Sequence, residues 1–311
     1  MIDFRYHIVS IAAVFLALAL GLVLGSTSGF QNNAISDLDS KISNLRSTNN
    51  GLRDSLDRER TLVKRDDQLL AAVTPALVAG ALDGEQVLVV SAPDASGSIR
   101  DGLEQAITTA GGKVAAELSL QSDFFAQDSA AVLAGLVDRL APNIPAEGSA
   151  LERASAALAA ALLVDDKSRG GEDLTSSGTS VVAGFREANL IKISDQVRRA
   201  SLVVVVAAAP KDKPDSSVVG LVPVAMAFDE AGRGCVLVGD EGLGAPSTGS
   251  IHALRTDSAA LDEVSSVDDG TTAAGRLRTI RALVAERLGQ VGQYGVGDGA
   301  DDIIATPSPA P

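Results

Sequence analysis

The chain has 311 residues, of which 26 are lysine or arginine and 40 are aspartate or glutamate, so its formal net charge is −14. Such an acidic protein is repelled by a phosphate backbone, which excludes nucleic acid as a general partner. Hydrophobic residues make up 46% of the chain but aromatic residues only 3%, so the core must be aliphatic. The single cysteine, Cys235, excludes an intramolecular disulfide and every zinc site that needs paired thiolates.

The amino-terminal segment is the most apolar part of the chain. Residues 8–24 carry no charge and only Ser10 among them is polar; extension to Tyr6 and Gly25 gives 20 residues, or about 30 Å of helix. Because this length matches the hydrocarbon core of a bilayer, we predict a transmembrane anchor within residues 1–28. A cleavable signal peptide is the alternative.

The charges around this segment predict its orientation. Arg5 and His7 lie just before it, whereas the nearest base after it is Lys41. Positive charge favours the cytoplasmic side of a membrane. We therefore expect a single-pass membrane protein with a cytoplasmic N-terminus and with the bulk of the chain outside the cytoplasm.

Small residues recur along one face of the predicted anchor. Ala13, Ala17, Gly21 and Gly25 are spaced every fourth residue and end in a Gly-x-x-x-Gly pattern. Such a stripe lets two helix backbones approach closely in lipid. We expect the anchors of two chains to associate through these four positions.

A heptad repeat follows in residues 29–74. Its frame places aliphatic side chains at most a and d positions over about four heptads, which is the spacing of a coiled-coil seam. The seam positions expected to contact a second chain are Ile35, Leu38, Ile42, Leu45, Asn49, Leu52 and Leu56. Asn49 is the kind of buried polar residue that fixes the register of a parallel homodimer.

One feature of this repeat leaves a second interpretation open. In a parallel dimer, Lys41 at a g position would face Arg46 at an e position of the partner, which is a like-charge pair. The alternative is a solitary amphipathic helix that folds back on its own domain.

Residues 75–292 have the pattern of an α/β domain. Short aliphatic runs at 87–90, 202–206 and 236–238 are typical of strands that are buried on both faces. Helical spacing is found at Ile99, Leu103 and Ile107, at Leu133, Leu136, Val137 and Leu140, at Leu151, Leu158 and Leu162, and at Leu277, Ile280, Val284 and Leu288. This alternation predicts a Rossmann-like, mostly parallel α/β domain. Residues 293–311 are rich in Gly, Asp, Pro and Ala and predict a disordered tail.

Polar residues that follow the predicted strands are the candidates for a ligand site. In open α/β sheets, ligands bind beyond the carboxyl ends of the strands. The candidates there are Asp94, Lys211 with Asp212, and Asp240. Carboxylates could hold a hard cation or act as acid and base, but Asp is also a common turn residue after a strand.

Other residues give no catalytic pattern. The glycine-rich segment 239–244 has G-x-x-G-x-G spacing and contains two acids, which disfavours a nucleotide site. His7 and His252 are the two histidines of the chain, and a lone loop histidine is usually solvated. Cys235 opens a strand, where a cysteine behaves as a small buried hydrophobe. We therefore predict a protein that is not an enzyme, with no resident metal and no cofactor.

Several segments resemble the mycobacterial copper transport protein B family, the MctB-like proteins of actinobacteria. The segments are Phe4-Arg5-Tyr6-His7-Ile8-Val9-Ser10, the runs 12–21 and 23–26, the coiled-coil stretch, residues 264–268, and Gly292-Gln293-Tyr294-Gly295. The likeness covers nearly the whole chain. It implies a membrane-associated envelope protein linked to copper homeostasis, for which a pore and copper export have been proposed. Related corynebacterial proteins resemble single-span partners of a second envelope protein in cell division and wall remodelling.

Side chains of the types that bind copper are few in this chain and far apart in sequence. Copper(I) selects Cys and Met, and copper(II) favours His. Beyond the initiator Met1 and His7, the chain offers Met226, Cys235 and His252. Two hypotheses follow: a non-catalytic envelope protein of copper homeostasis, or a coiled-coil dimer that binds an envelope or membrane protein and regulates cell division or wall remodelling.

Overall fold

The computed structural model describes residues 4–25, 29–164, 168–213, 215–242 and 245–307. The chain divides into two compact units, Met1–Arg65 and Asp66–Pro311. The last residues of the predicted tail, 308–311, and residues 26–28 lie outside the described ranges.

The first unit is helical. Helix α1 spans Phe4–Gly25, and helix α2 (Gly29–Val78) begins in this unit and ends in the second. The α1 side chains from Tyr6 to Gly25 are exposed, and apart from His7 and Ser10 they are apolar or aromatic on all sides. Helix α2 ends three residues after Pro75, and Gly80 follows with a φ of +74°, a left-handed conformation that commonly terminates helices.

The second unit is built on a seven-stranded sheet. Its strands are β1 (Gln86–Ser91), β2 (Lys113–Leu120), β3 (Ile191–Ile193), β4 (Leu202–Val206), β5 (Cys235–Val238), β6 (Ser265–Val267) and β7 (Gln293–Tyr294). Their order across the sheet is β3-β2-β1-β4-β5-β6-β7. Strand β3 is antiparallel to β2, and every other neighbouring pair is parallel.

Helices cover both faces of this sheet. They are α3 (Gly97–Thr109), α4 (Ser122–Phe125), α5 (Ala130–Leu140), α6 (Ala150–Leu162), α7 (Ser176–Glu187), α8 (Ser216–Ala231), α9 (Ser250–Thr256) and α10 (Ala273–Glu286). Alternate residues of a strand face opposite sides, so Val87 and Val89 pack with α3 and α10, while Leu88 and Val90 pack with α4 to α9. Two aliphatic cores result, one on each face.

The prediction of a mixed α/β domain with a mostly parallel sheet is confirmed. The three aliphatic runs form β1, β4 and β5, and the helical patterns form α3, α5, α6 and α10. The structure adds four strands and four helices that the hydrophobic pattern did not indicate: β2, β3, β6, β7, α4, α7, α8 and α9.

The segment after Gly292, whose composition predicts disorder, is tied to the α/β unit over most of its described length. Strand β7 pairs with β6, and Ala305 is buried. Arg278 Nε donates to the carbonyl of Ile303 at 2.5 Å, and Arg281 Nε donates to the carbonyl of Ala305 at 3.3 Å. Long-range side-chain donors therefore hold this stretch, although it has few apolar residues of its own.

A buried carboxylate lies just before β1. Glu85 is 1% exposed, and its carboxylate accepts a hydrogen bond from Ser201 Oγ at 2.8 Å. Nη1 of Arg233 and Nη1 of Arg287 each lie 3.3 Å from Glu85 Oε1, and Arg169 Nε lies 4.0 Å from it. Buried charge requires such pairing, and this cluster links segments that are far apart in sequence.

Candidate functional site

The loops after β1 and β4 lie where the strand order reverses, which is the usual ligand position of an open α/β sheet. Lys211 Nζ lies 3.2 Å from Asp94 Oδ2 and 3.2 Å from Asp215 Oδ2. The hydrogen bonds that Lys211 donates to Asp215 and Asp94 raise the pKa of its ammonium group. All three side chains are largely exposed, and Asp212 is exposed beside them. The structure thus joins Asp94 and Lys211, but as a surface ion pair.

A second group of acids lies at the carboxyl ends of β5 and β6. The backbones of Asp240 and Asp269 form an isolated bridge between the two loops. Asp240 Oδ1 accepts a hydrogen bond from Thr271 Oγ1 at 3.0 Å, and Asp269 is paired with the buried guanidinium of Arg278. These carboxylates join the loop after β5 to the start of α10.

Glu241 is a buried carboxylate that positions α9. Its Oε1 accepts the backbone N–H of Ile251 at 3.0 Å, and its Oε2 accepts the N–H of His252 at 3.1 Å. These N–H groups belong to the first turn of the helix, where no intrahelical acceptor exists. Burial raises the pKa of Glu241 despite these bonds. His252 therefore contributes its backbone to this cluster.

Arg255 is the centre of a buried polar network between α9, β6 and the carboxyl-terminal segment. Its side chain is 3% exposed, and Nη1 lies 2.9 Å from Oδ2 of Asp268, which is fully buried. Nε donates to Ser266 Oγ at 2.9 Å, and Nη2 donates to the carbonyl of Tyr294 at 2.9 Å. Asp268 in turn accepts the backbone N–H groups of residues 296 and 297 at 3.0 and 2.7 Å.

These contacts limit the chemistry of the carboxyl edge of the sheet, because its described carboxylates already accept hydrogen bonds from the protein. Asp240, Glu241, Asp268 and Asp269 all accept hydrogen bonds from backbone amides, threonine or arginine. Across the described ranges, no three His, Cys, Asp or Glu side chains come close enough together to hold a metal ion. The loop residues Leu243 and Gly244 lie outside those ranges. The described carboxylates thus hold loops, a helix and the carboxyl-terminal segment in place.

Cys235, Met226 and His252, whose side chains are of types that bind copper, lie on three different elements. Cys235 is fully buried at the start of β5, and burial raises the pKa of its thiol well above the usual value, with Asp229 and Glu286 adding to the effect. A protonated thiol is a poor metal ligand. Met226 lies on α8, half-buried, and His252 lies on α9.

Two carboxyl groups, the buried Glu286 and the partly buried Asp229, lie at the opposite edge of the sheet. Glu286, at the end of α10, accepts the backbone N–H of Ser265 at 2.8 Å. Burial raises its pKa to about 8, with a contribution from nearby Asp229. The pKa of Asp229 is raised to about 6, again mainly by burial. Folding therefore favours the protonated form of both groups.

The predicted dimerisation positions lie on α1 and α2. A Cβ added to Gly21 or Gly25 would meet no atom within 4 Å, so this face of α1 is open. On α2, the side chains of Leu38, Ile42, Leu45, Asn49, Leu52 and Leu56 are exposed. Ala13 and Ala17 are exposed on α1, and the side chain of Ile35 lies outside the described part of the structure.

Sequence reasoning did not find Glu241, Arg255 or Arg278, which organise the carboxyl edge. Arg255 is a base in the last turn of a short helix, and nothing next to it in sequence indicates burial. The signal that was available is the acidic pair 268–269 directly after a strand, since buried carboxylates require a cationic partner.

The elements and contacts above define a class of protein. It is a mixed α/β protein with a seven-stranded, mostly parallel sheet, preceded by an apolar helix. Within the described residues, Tyr6–Gly25 is the one helix long and apolar enough, by length and composition, to cross a membrane.

The chain belongs to the MctB family. The family model described as "Copper transport outer membrane protein, MctB" matches residues 1–305. The protein named copper transporter MctB of Mycobacterium tuberculosis (strain H37Rv) is 31% identical over 318 aligned positions, which cover 98% of this chain and 100% of the relative. The protein of the same name from Mycobacterium leprae is 29% identical over 331 positions, which cover 97% and 99% of the two chains.

Proposed function

We propose that this protein is a non-catalytic, single-span membrane protein of the cell envelope that serves copper homeostasis. The observation that carries the proposal is the uncharged helix Tyr6–Gly25, exposed along its whole length, in a chain that matches relatives named copper transporter MctB from end to end. Exposed apolar surface of this extent requires a lipid or protein environment. Arg5 and His7 before the span support a cytoplasmic N-terminus.

Copper would be the cargo of this system. Because burial raises the pKa of the Cys235 thiol, and because Met226 and His252 lie on other elements, the described part of the chain brings no copper(I) ligand set together. Copper handling therefore depends on assembly with other chains. The strand order β3-β2-β1-β4-β5-β6 supports a Rossmann-like scaffold, whose described carboxylates have structural partners.

The copper role is tested by growth on a copper gradient. A strain that lacks the gene should tolerate several-fold less copper than its parent, and the intact gene should restore tolerance. Tolerance of zinc, which has a different ligand preference, is the matched control. Unchanged copper tolerance, or an equal loss of zinc tolerance, would refute the copper role.

The seam of α2 supports a parallel homodimer as the form in which the protein acts. Leu45 is 70% exposed and Leu52 is 59% exposed, and both lie at d positions of the heptad frame. Burying such side chains against a second copy yields about 1.5–3 kcal/mol for each. Two anchors in one membrane would also keep the helices parallel.

Changing Leu45 and Leu52 together to asparagine should weaken the dimer, so that a larger share of the chain is monomeric than in the wild type at the same concentration. The measurement is the mass of the full chain in detergent by light scattering, corrected for detergent. The control variant carries Ser47→Asn and Asp54→Asn, two exposed positions of α2 outside the seam, and should stay dimeric. A wild-type monomer, or a seam variant that is as fully dimeric as the wild type at every concentration, would contradict the assignment.

The second candidate function is regulation of cell division or wall remodelling through a protein partner of the coiled coil. The coiled coil also favours this candidate, since the α2 side chains outside the seam stay exposed in a dimer and present a continuous surface to such a partner. In that case the Leu45→Asn, Leu52→Asn variant loses a co-purifying envelope protein and alters cell length while copper tolerance stays normal.

A further inference from the structure

A groove runs along the surface of the α/β unit between α6 and α8. Its volume is about 490 Å³, and its floor is made of small or half-buried side chains. Ala156 and Ala160 lie one turn apart on α6, and Pro223 and Ala227 lie at the same spacing on α8. Rows of small residues at i and i+4 leave a trough between two helices into which the side chains of a third helix fit.

The rim of the groove is acidic. Glu147, Glu152, Glu230 and Glu263 line it, and Arg153 is the one base among the lining residues. Arg153 is not available to an incoming anion, because its Nη2 lies 2.6 Å from Asp138 Oδ1 and its Nε donates to the carbonyl of Pro145 at 3.0 Å. The groove therefore combines an apolar floor with an uncompensated negative rim.

From this combination we infer that the groove binds an amphipathic helix of a partner protein that carries lysine or arginine beside an apolar face. Charge complementarity selects that occupant: the acidic rim attracts cations and repels both nucleic acid and anionic lipid headgroups. Met226 in the floor supplies an adaptable apolar contact, which is typical of helix-binding grooves. The inference goes beyond the copper role and does not depend on the seam of α2.

The test uses the full chain in nanodiscs of phosphatidylcholine, which carries no net charge, and binding to empty nanodiscs is subtracted because an amphipathic helix also partitions into neutral lipid through its apolar face. The probe is a synthetic helix of about 18 residues, five turns, with leucine and alanine on one face and lysine on the other. Fluorescence anisotropy should give a dissociation constant in the micromolar range that weakens in about 1 M salt, where the Debye length is about 3 Å. The same peptide with glutamate in place of lysine should not bind.

Matched variants locate the binding. Glu230→Lys with Glu263→Lys should weaken binding of the lysine peptide by roughly tenfold or more, and Ala160→Gln, which fills an exposed position of the trough, should weaken it without loss of helix content. Glu187→Lys with Asp195→Lys makes the same change in net charge at exposed sites outside the groove and should bind as the wild type does.

Four results would overturn the inference. The first three are no binding of the lysine peptide, equal binding of the glutamate peptide, and an equal loss of binding in the Glu187→Lys, Asp195→Lys control. The fourth is that the chain self-associates and that Glu230→Lys with Glu263→Lys abolishes this self-association. The last result would assign the groove to a second copy. None of these results bears on copper tolerance, so failure here and failure of the copper role are distinguishable.

Discussion

Replacing Arg255 with methionine should lower the free energy of unfolding of the α/β unit by about 3–5 kcal/mol. The change leaves Asp268 fully buried without its cation, and it removes the donors to Ser266 Oγ and to the carbonyl of Tyr294. Removing one partner of a buried ion pair is costly because the other charge stays in a medium of low dielectric constant. The measurement is urea unfolding of the full chain in detergent, followed by circular dichroism and extrapolated linearly.

The matched control is Arg198→Met. Arg198 pairs with Asp173 on the surface, where both side chains are more than half exposed, so its loss should cost less than about 1 kcal/mol. Equal losses in the two variants would show that burial of the Arg255 network does not stabilise the fold. A carboxyl-terminal segment that exchanges its amide hydrogens as slowly in Arg255→Met as in the wild type would contradict its role in holding residues 293–305.

Replacing Glu286 with glutamine should stabilise the protein at alkaline pH and flatten its stability profile. The pKa of Glu286 is raised from 4.5 to about 8 in the folded state, so the folded state binds the proton more tightly than the unfolded state does. Stability from this group is therefore complete below pH 4.5 and is lost as the pH rises through 8. The full loss is on the order of 5 kcal/mol.

Glutamine keeps an oxygen that accepts the Ser265 N–H, and it cannot ionise. The wild type should be less stable at pH 9 than at pH 5, while Glu286→Gln should lose most of that difference. The pKa of Asp229 is also raised, mainly by burial, and the charge of Glu286 contributes to the raised pKa values of Cys235 and Tyr294, so a smaller slope should remain. Glu187→Gln at an exposed position should leave the wild-type profile unchanged, and a steep profile in Glu286→Gln would contradict the assignment.

The central strands could be predicted because β1, β4 and β5 are continuous aliphatic runs. Strands that are buried on both faces of a parallel sheet have that composition. Strand β6 could not be predicted in the same way, since its Ser265 and Ser266 are polar residues in fully buried positions. Their burial is possible because residues distant in sequence, among them Glu286 and Arg255, supply hydrogen-bond partners. The local sequence around a buried serine does not indicate such partners.

The residues at the carboxyl edge of the sheet could likewise be predicted only in part. Position after a strand indicated that Asp94 and Lys211 lie at the carboxyl edge of the sheet, and the structure brings them together because β1 and β4 are neighbours. It could not tell a ligand site from an ion pair, since that difference depends on which side chains face each carboxylate. The hydrogen bonds between the carboxyl-terminal segment and Asp268 could not be predicted either. Their donors are backbone amides of a glycine-rich sequence, which no side-chain pattern marks.

The copper content of cells tests the central claim, that an anchored member of the MctB family serves copper homeostasis. In copper-supplemented medium, a strain that lacks the gene should accumulate several-fold more copper than its parent, measured by mass spectrometry of washed cells. The intact chain should restore the parental copper level. A chain with Leu16→Arg and Leu20→Arg should not restore it, because each arginine costs about 2.5–3.5 kcal/mol on insertion of the anchor into the membrane. Equal copper content in the deletion strain and its parent would contradict the account.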